Sequence, residues 1–439
     1  SKIMLTGKKY TLETVDMETL TELGYGAVPY IAQLRQDQDP EVAAAAREYF
    51  FTQRLYGNTK GKIISAAWEL FYEQGYDDTT VEEIIERSGT SKGSFYHYFD
   101  GKDAEFSFRD AYNPLDFGGI RYCDARAWSF FNKHVDGMDK YLPYINGEDM
   151  KGSMPLYMKP KHLLSVRDIQ NDMRDHYEGT PMDMTADIGA GGNALPYRWR
   201  PMGFEVDGKE YVNERAIATQ QTGFWFVGQS RGWLPDEIGG VNWFGCDDAA
   251  TSYLTPIYTS TYEIPECFRV GNGNMITYSP TSAFWMTNRV ANACYKAYNI
   301  MFPTVDAEID AWENGMMEAV AAADAEALEI YKAADKKPRR QIRRNDKARK
   351  TVDPYAAVRT YLTGFSVENA QKIFDKWVAL EQLLLVKYID GNVKAQNEDG
   401  TFVTNEHTDC IPAKISQPGY TETWKAVVAE KHGKTIEVR

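Results

Sequence analysis

The chain has 439 residues, 43% of them hydrophobic and 13% aromatic, with 10 Trp and 28 Tyr, which is enough for two or three packed cores and excludes a disordered chain. A formal charge of −14 gives no chain-wide positive field for phosphates, so any nucleic-acid contact has to be local. Five scattered cysteines without a C-x-x-C pair argue against a disulfide framework or zinc site and predict buried, reduced thiols. No stretch approaches the ~20 apolar residues of a membrane span, and the opening SKIMLTGKKYTLE has no signal-type apolar run, so a cytoplasmic protein without a membrane partner is expected.

In chain order, residues 1–58 open on a short alternating stretch and then turn helical. Ile31, Leu34, Val42, Ala46, Tyr49 and Phe50 recur at near-helical spacing, and Asp39-Pro40 suits the start of a second helix. No function attaches to this segment. Residues 59–99 predict three short helices. The first places Ile63, Ile64, Ala67, Leu70 and Phe71 on one face, with Gly75 as its C-terminal cap. Thr79 or Thr80 caps the second, Glu83 completes a capping box with Thr80, and Val81, Ile84 and Ile85 face the core. Ser88-Gly89-Thr90 is a turn, and Thr90 or Ser91 caps a third helix ending near Phe99.

Residues 100–300 are mixed. Segments 121–134 and 165–177 read as helices, DIGAGGNALPYRW as a loop, and 195–290 as mostly β, with a tight hairpin turn at Asp207-Gly208. The loop lacks the G-x-G-x-x-G order of a phosphate cradle, so no nucleotide cofactor is implied. Residues 305–350 are helical and end in KKPRRQIRRNDKARK, a run better read as a solvated face than as a nucleic-acid grip. A last helix over 367–388 places Ile373, Trp377, Leu380 and Leu384 inward, and the tail beyond is turn-rich.

The segment SKGSFYHYF fits a helix laid in the DNA major groove while another helix braces it. Gly93 and Ser94 allow close backbone approach, Lys92, Tyr96, His97 and Tyr98 offer donors, and Phe95 and Phe99 face inward. Over about 45 residues this region resembles the helix-turn-helix of the tetracycline-repressor family. The resemblance rests on Gly-Tyr, Thr-Thr-Val, Ser-Gly-Thr-Ser-Lys-Gly and the Tyr-x-x-Phe ending. It implies that Thr80 opens the bracing helix, that Lys92, Ser94, Tyr96 and Tyr98 touch DNA, and that Lys102 holds a phosphate. Two features depart from that family. No long helical dimerisation domain follows, and acids outnumber bases by four over 59–103.

From residue 100 onward the chain resembles the N-terminal-nucleophile (Ntn) dipeptidases. The segments that carry the resemblance include FSFRDAYNPLDFGGIRYCDARAWSFF, MRDHYEGTPMDMTADIGAG, YVNERAIATQQTGFWFVGQ, YTSTYEIPECF and TSAFWMTNRVANACY. The resemblance implies a four-layer α/β/β/α sandwich, dipeptide substrates, and a first-residue nucleophile, usually cysteine, whose α-amine acts as base. It puts Arg126 at an active-site arginine position, and Ser1 stands where the cysteine would be. The nucleophile strand and its early partners have no counterpart ahead of residue 100, so impaired activity is expected, along with open sheet edges and an uncovered apolar face. The histidines show no metal spacing, and Asp247-Asp248 or Arg174-Asp175-His176 makes no triad by adjacency alone.

The expected fold class is therefore α+β: a partial Ntn-hydrolase sandwich over 100–439, an all-α helix-turn-helix over 59–99, and an unassigned, mostly helical 1–58. The expected function is a dipeptidase-like amide hydrolase with catalytic Ser1 and Arg126 and no metal or cofactor. One alternative is a DNA-binding regulator acting through residues 80–102, with Thr80, Lys92, Gly93, Ser94, Tyr96, Tyr98 and Lys102. Another is a chimeric chain, joined near YFDGKDA, with neither activity. A homo-oligomer is compatible with each.

Overall fold

Local caps and alternating apolar patterns decide most of the elements. The computed structural model describes residues 2–5, 8–11, 59–74, 79–98, 116–150, 152–335 and 353–438. The chain divides into two units, Ser1–Gly119 with Pro155–Tyr157, and Ile120–Met154 with Met158–Arg439.

In the first unit Lys2–Leu5 (β1) and Lys8–Thr11 (β2) pair antiparallel, with Ile3 opposite Tyr10. Three helices follow in sequence, Thr59–Gln74 (α1), Val81–Ser88 (α2) and Lys92–Tyr98 (α3). Ile63, Ala66 and Leu70 of α1, Ile84 of α2 and Phe95 of α3 form one small core. Of the two candidate caps of α2, Thr80 takes the role. Its hydroxyl accepts from the Glu83 backbone at 3.3 Å while its own N–H donates to Glu83 Oε2 at 2.7 Å. A box of this kind contributes about 1 kcal/mol. Gly89 ends α2 at φ 63°, a left-handed conformation that glycine adopts freely. Ser91 caps α3 by accepting from the Ser94 N–H at 3.0 Å. Arg87 ties α2 to α1 through a two-pronged contact with Glu73, at 2.9 and 3.2 Å. The expected Gly75 cap, the Phe99 helix end and the 29–56 helices lie outside the described residues.

In the second unit a π-helical turn, Ile120–Asp124, leads into Ala125–His134 (α4), and Ser165 caps Val166–Asp172 (α5). Gly203–Val206 (β3) and Lys209–Val212 (β4) form the expected hairpin, with Asp207 and Gly208 both at positive φ, as a tight mirror-image turn requires. Phe224–Ser230 (β5), Gly240–Cys246 (β6) and Thr255–Tyr258 (β7) make one antiparallel sheet in the order β5-β6-β7. Ala283–Cys294 (α6), Tyr298–Asp335 (α7), Ala356–Lys387 (α8) and Glu422–Ile436 (α9) complete the unit.

Alternation along the strands buries Trp225, Val227, Val241, Trp243 and Tyr258 in the main core. Val305, Ile309, Trp312, Met316 and Val320 of α7 join them, as do Leu362, Ile373, Trp377 and Leu384 of α8. The Tyr258 hydroxyl reaches Asp324 Oδ1 on α7 at 2.7 Å, and its N–H reaches Ser366 Oγ on α8 at 3.1 Å, so β7 is fixed to both long helices.

The class is α+β. Among the described residues stands one three-stranded sheet, where the resemblance implies two stacked sheets. Several local expectations need correction. The helix expected over 165–177 stops at Asp172, because Asp175 is held by Ser129 Oγ and Lys133 Nζ, both at 2.7 Å, in a non-helical turn. The β region ends at Tyr258 and gives way to turns and then α6. Helix α8 starts eleven residues before the expected 367, since a lone Gly364 costs a helix only about 1 kcal/mol. The tail contains α9, which has no fully buried residue and only a short apolar period in the half-buried Trp424, Val427 and Val428. Cys267 and Cys294 are buried as expected, but Cys123 and Cys410 are exposed. No helix among the described residues is long and apolar enough to cross a membrane.

Candidate functional site

Helix α4 organises the polar centre of the second unit. Trp128 locks the helix by donating to the Met138 carbonyl at 2.9 Å. Ser129 and Lys133 grip Asp175, and His134 Nε2 meets Asp172 Oδ2 at 2.6 Å. Together these contacts fix the segment 172–178.

Arg126 lies half-buried on this helix, and its Nε donates to the Tyr122 carbonyl at 2.7 Å. Among the described residues neither of its terminal nitrogens has a partner. One edge of the guanidinium is thus pinned and the other is available to an anion. Tyr177, within the field of Arg126, is fully buried at φ 67° and donates to the Arg215 carbonyl at 2.7 Å. A bulky residue held in the left-handed region is strained, and such strain clusters at functional sites. Burial, reinforced by Glu214 and opposed by Arg126, pushes the Tyr177 phenol above its ordinary value, so it remains a donor.

His176, next in sequence, donates its N–H to Glu178 Oε2 at 2.7 Å, and its Nδ1 meets Glu178 Oε1 at 3.0 Å. Burial works to raise the Glu178 carboxyl, but hydrogen bonds and charge from His176 outweigh it and hold Glu178 below the usual range. His176 Nε2 is buried without a partner among the described residues. The imidazole stands edge-on to Tyr197 at 5.0 Å and to Tyr298 at 6.3 Å.

These tyrosines lead to a second acidic element at the end of β6. The Tyr197 hydroxyl donates to Asp248 Oδ2, which also accepts from Thr251 Oγ1 at 3.1 Å. Burial, then the charge of Asp248, holds the phenols of Tyr197, Tyr295 and Tyr298 well above their ordinary value, so all three stay protonated. Asp247 beside it is 1% exposed at φ 69°. Its Oδ1 accepts from Asn288 Nδ2 at 3.1 Å, and its Oδ2 has no partner among the described residues. Burial first, and the neighbouring Asp248 second, push the Asp247 carboxyl up to about 7, with Asn288 pulling the other way.

That shift carries a pH dependence. The proton is held more tightly in the folded state, so stability from this group is complete below the ordinary value of 3.8 and lost progressively as pH rises from there to about 7. The loss is up to about 4 kcal/mol. Asp247→Asn, which keeps the shape and cannot ionise, is expected to be more stable than the parent at pH 8 and nearly equal to it only at about pH 3.5, below the ordinary carboxylate pKa. Urea midpoints at the two pH values check this. An Asn variant losing equal stability at both would show that the carboxyl does not titrate there.

The sequence singled out Arg126, raised Asp247-Asp248 only to set the pair aside as a triad, and did not single out the strained Tyr177. Ser1 lies outside the described residues, as does Lys102. On the first unit, Lys92 Nζ is 3.2 Å from Glu82 Oε1 and 6.0 Å from the centre of the Tyr96 ring, and Tyr96 is 47% exposed. Ser94 Oγ meets Ser91 Oγ at 2.9 Å, while the side chain of Tyr98 is outside the described set. A Cβ on Gly93 would meet nothing closer than Ser91 Oγ at 3.9 Å, so α3 itself does not require glycine there. No cluster of three or more metal-ligating side chains occurs among the described residues.

Comparison with known proteins places this chain, with its strained Tyr177 in the field of the half-open Arg126, among the peptidases. The family model of Peptidase family C69 matches residues 80–311, more than half of the chain, and the chain belongs to that family. It is 20% identical over 193 residues to a probable dipeptidase B of Lactococcus lactis, covering 44% of this chain and 35% of that protein. It is 21% identical over 206 residues to dipeptidase A of Lactobacillus helveticus, covering 46% and 37%. A 45-residue stretch, 10% of the chain, is 47% identical to an uncharacterized HTH-type transcriptional regulator of Lactococcus lactis and covers 23% of it. The chain thus spans about a third of the length of these dipeptidases and about a quarter of the regulator.

Proposed function

We propose that the chain is a dipeptidase-like amide hydrolase of the N-terminal-nucleophile class, with impaired activity, acting on dipeptides through a site that includes Arg126. The supporting observation is the arginine itself. It is half-buried, fixed through Nε, and has both terminal nitrogens open to a carboxylate or a developing oxyanion. The dipeptidases among its relatives and its membership of Peptidase family C69 support the same reading. The four-layer sandwich, with the segment from residue 100 onward as its C-terminal portion, belongs to this proposal. So does Ser1 as the attacking hydroxyl, which Ser1→Ala tests. The direct experiment incubates the full chain with a panel of dipeptides and follows release of free amino acids. Slow turnover above buffer is expected. Its absence in a folded preparation would remove the proposal.

A second reading is supported on the first unit, where α1, α2 and α3 have the order of a helix-turn-helix and α3 presents Lys92 and Tyr96 to solvent. Through it the chain would bind DNA, with Thr80 bracing and Ser94, Tyr98 and Lys102 assisting. The Lys92–Glu82 pair is exposed, worth about 0–1 kcal/mol, and would yield readily to a phosphate. Tyr96→Ala is expected to abolish a salt-sensitive, sequence-selective gel shift. A shift that survives the substitution, or that ignores sequence, would reject this surface.

A further inference from the structure

Strand β5 is the edge of its sheet, with a neighbouring strand on one side only among the described residues. Its sequence, FWFVGQS, contains no charge and no proline, and its pairing with β6 runs from Phe224 to Ser230 without a bulge. These are the devices by which proteins normally keep an edge strand from pairing. The face pointing away from the main core is also open. Phe224 is 62% exposed and Phe226 is 56% exposed, with Phe224 stacked on Phe244 at 6.0 Å. Phe244 in turn meets Phe268, in the short turn 266–268 after β7, edge-on at 5.0 Å, so the open aromatic face reaches in from β5 as far as β6.

We infer that β5 is an interaction surface whose partner is β5 of a second copy of this chain, the two edges pairing antiparallel across a two-fold axis into a six-stranded sheet. The symmetry fits. A two-fold normal to the sheet relates two such strands antiparallel and keeps their exposed faces on one side, the sense already present in β5-β6-β7. Charge also selects this place. Copies carrying −14 each repel one another over most of their surface, and a neutral strand is where they can meet without placing like charges together. The same pairing would bring Phe224 and Phe226 of both copies together and remove apolar surface from water. A short edge contact of this kind is smaller than the ~800 Å² per partner of a standard interface, so a weak, concentration-dependent dimer is expected.

The test is sedimentation velocity on the full chain from roughly 1 to 100 µM, with amide hydrogen exchange of residues 224–230 read at both ends of that range. The expected result is a monomer–dimer shift accompanied by slower exchange in β5 at high concentration. Phe226→Lys, an exposed position, should leave the thermal midpoint unchanged and hold the chain monomeric. Phe224→Lys provides the same readout should the first variant fail to fold. A chain that stays monomeric throughout overturns the inference. So does a dimer indifferent to both substitutions, or β5 protection that does not depend on concentration, which would mean the chain covers its own edge.

Discussion

Replacing Glu313 by alanine is expected to destabilise the second unit by about 3–5 kcal/mol, the largest single-residue effect on stability anticipated here. The carboxylate of Glu313 on α7 is fully buried. It accepts from Arg174 Nη2 at 2.6 Å and Nη1 at 3.1 Å, from Arg167 Nη1, and from the Leu254 backbone at 2.9 Å. Arg174 then donates to the Ala249 and Ser252 carbonyls and lies 4.9 Å from the Trp225 ring centre. One carboxylate therefore joins α7, α5, the turn after it, and the loop between β6 and β7. Removing it leaves two guanidinium groups poorly solvated and a buried N–H unpaired, each of which costs more than an average contact returns. Glu313→Gln keeps the shape but not the charge and should lose less. Urea unfolding followed by tryptophan fluorescence measures both. A loss below about 1 kcal/mol for the alanine variant would mean that the network is not a buried one.

Arg126→Ala is expected to lower dipeptide kcat/KM by about 10- to 100-fold, the worth of a hydrogen-bonded charge on a substrate anion. Arg126→Lys should recover only part of this, because an ammonium cannot reproduce a planar two-pronged contact. Fold and activity can be separated at this position. The one hydrogen bond that Arg126 makes among the described residues is to the carbonyl of Tyr122, in the π-helical turn leading into its own helix, so thermal stability should change little. If the alanine variant keeps full turnover, Arg126 does not touch substrate. If it unfolds, its role is structural.

Much of this architecture is legible in the residues because the deciding forces are local. The Thr80–Glu83 box, the Ser91 cap, the Asp207-Gly208 turn and the inward spacing of Ile373, Trp377, Leu380 and Leu384 each rest on neighbours in sequence. What the sequence conceals depends on distant partners. Nothing in 165–177 marks Asp172 as a helix end, because Ser129 and Lys133, which hold Asp175 in the following turn, lie some forty residues earlier. The polar centre shows the same limit. Adjacent Asp247 and Asp248 are alike in sequence, yet packing gives Asp248 three hydroxyl donors, from Tyr197, Thr251 and Tyr295, and leaves one oxygen of Asp247 without a partner among the described residues. Helix α9 has no fully buried residue, and its half-buried Trp424, Val427 and Val428 make only one turn of apolar spacing among charged neighbours.

Whether a dipeptide meets the open edge of Arg126 can be measured most directly by titrating dipeptides into protein labelled with 15N-arginine and following the side-chain N–H resonances. Saturable shifts at Arg126, absent when the same amino acids are added as their amides without a free carboxylate, are the expected result. Shifts spread evenly over all arginines, or none at any concentration in a folded sample, would contradict a substrate site at this position.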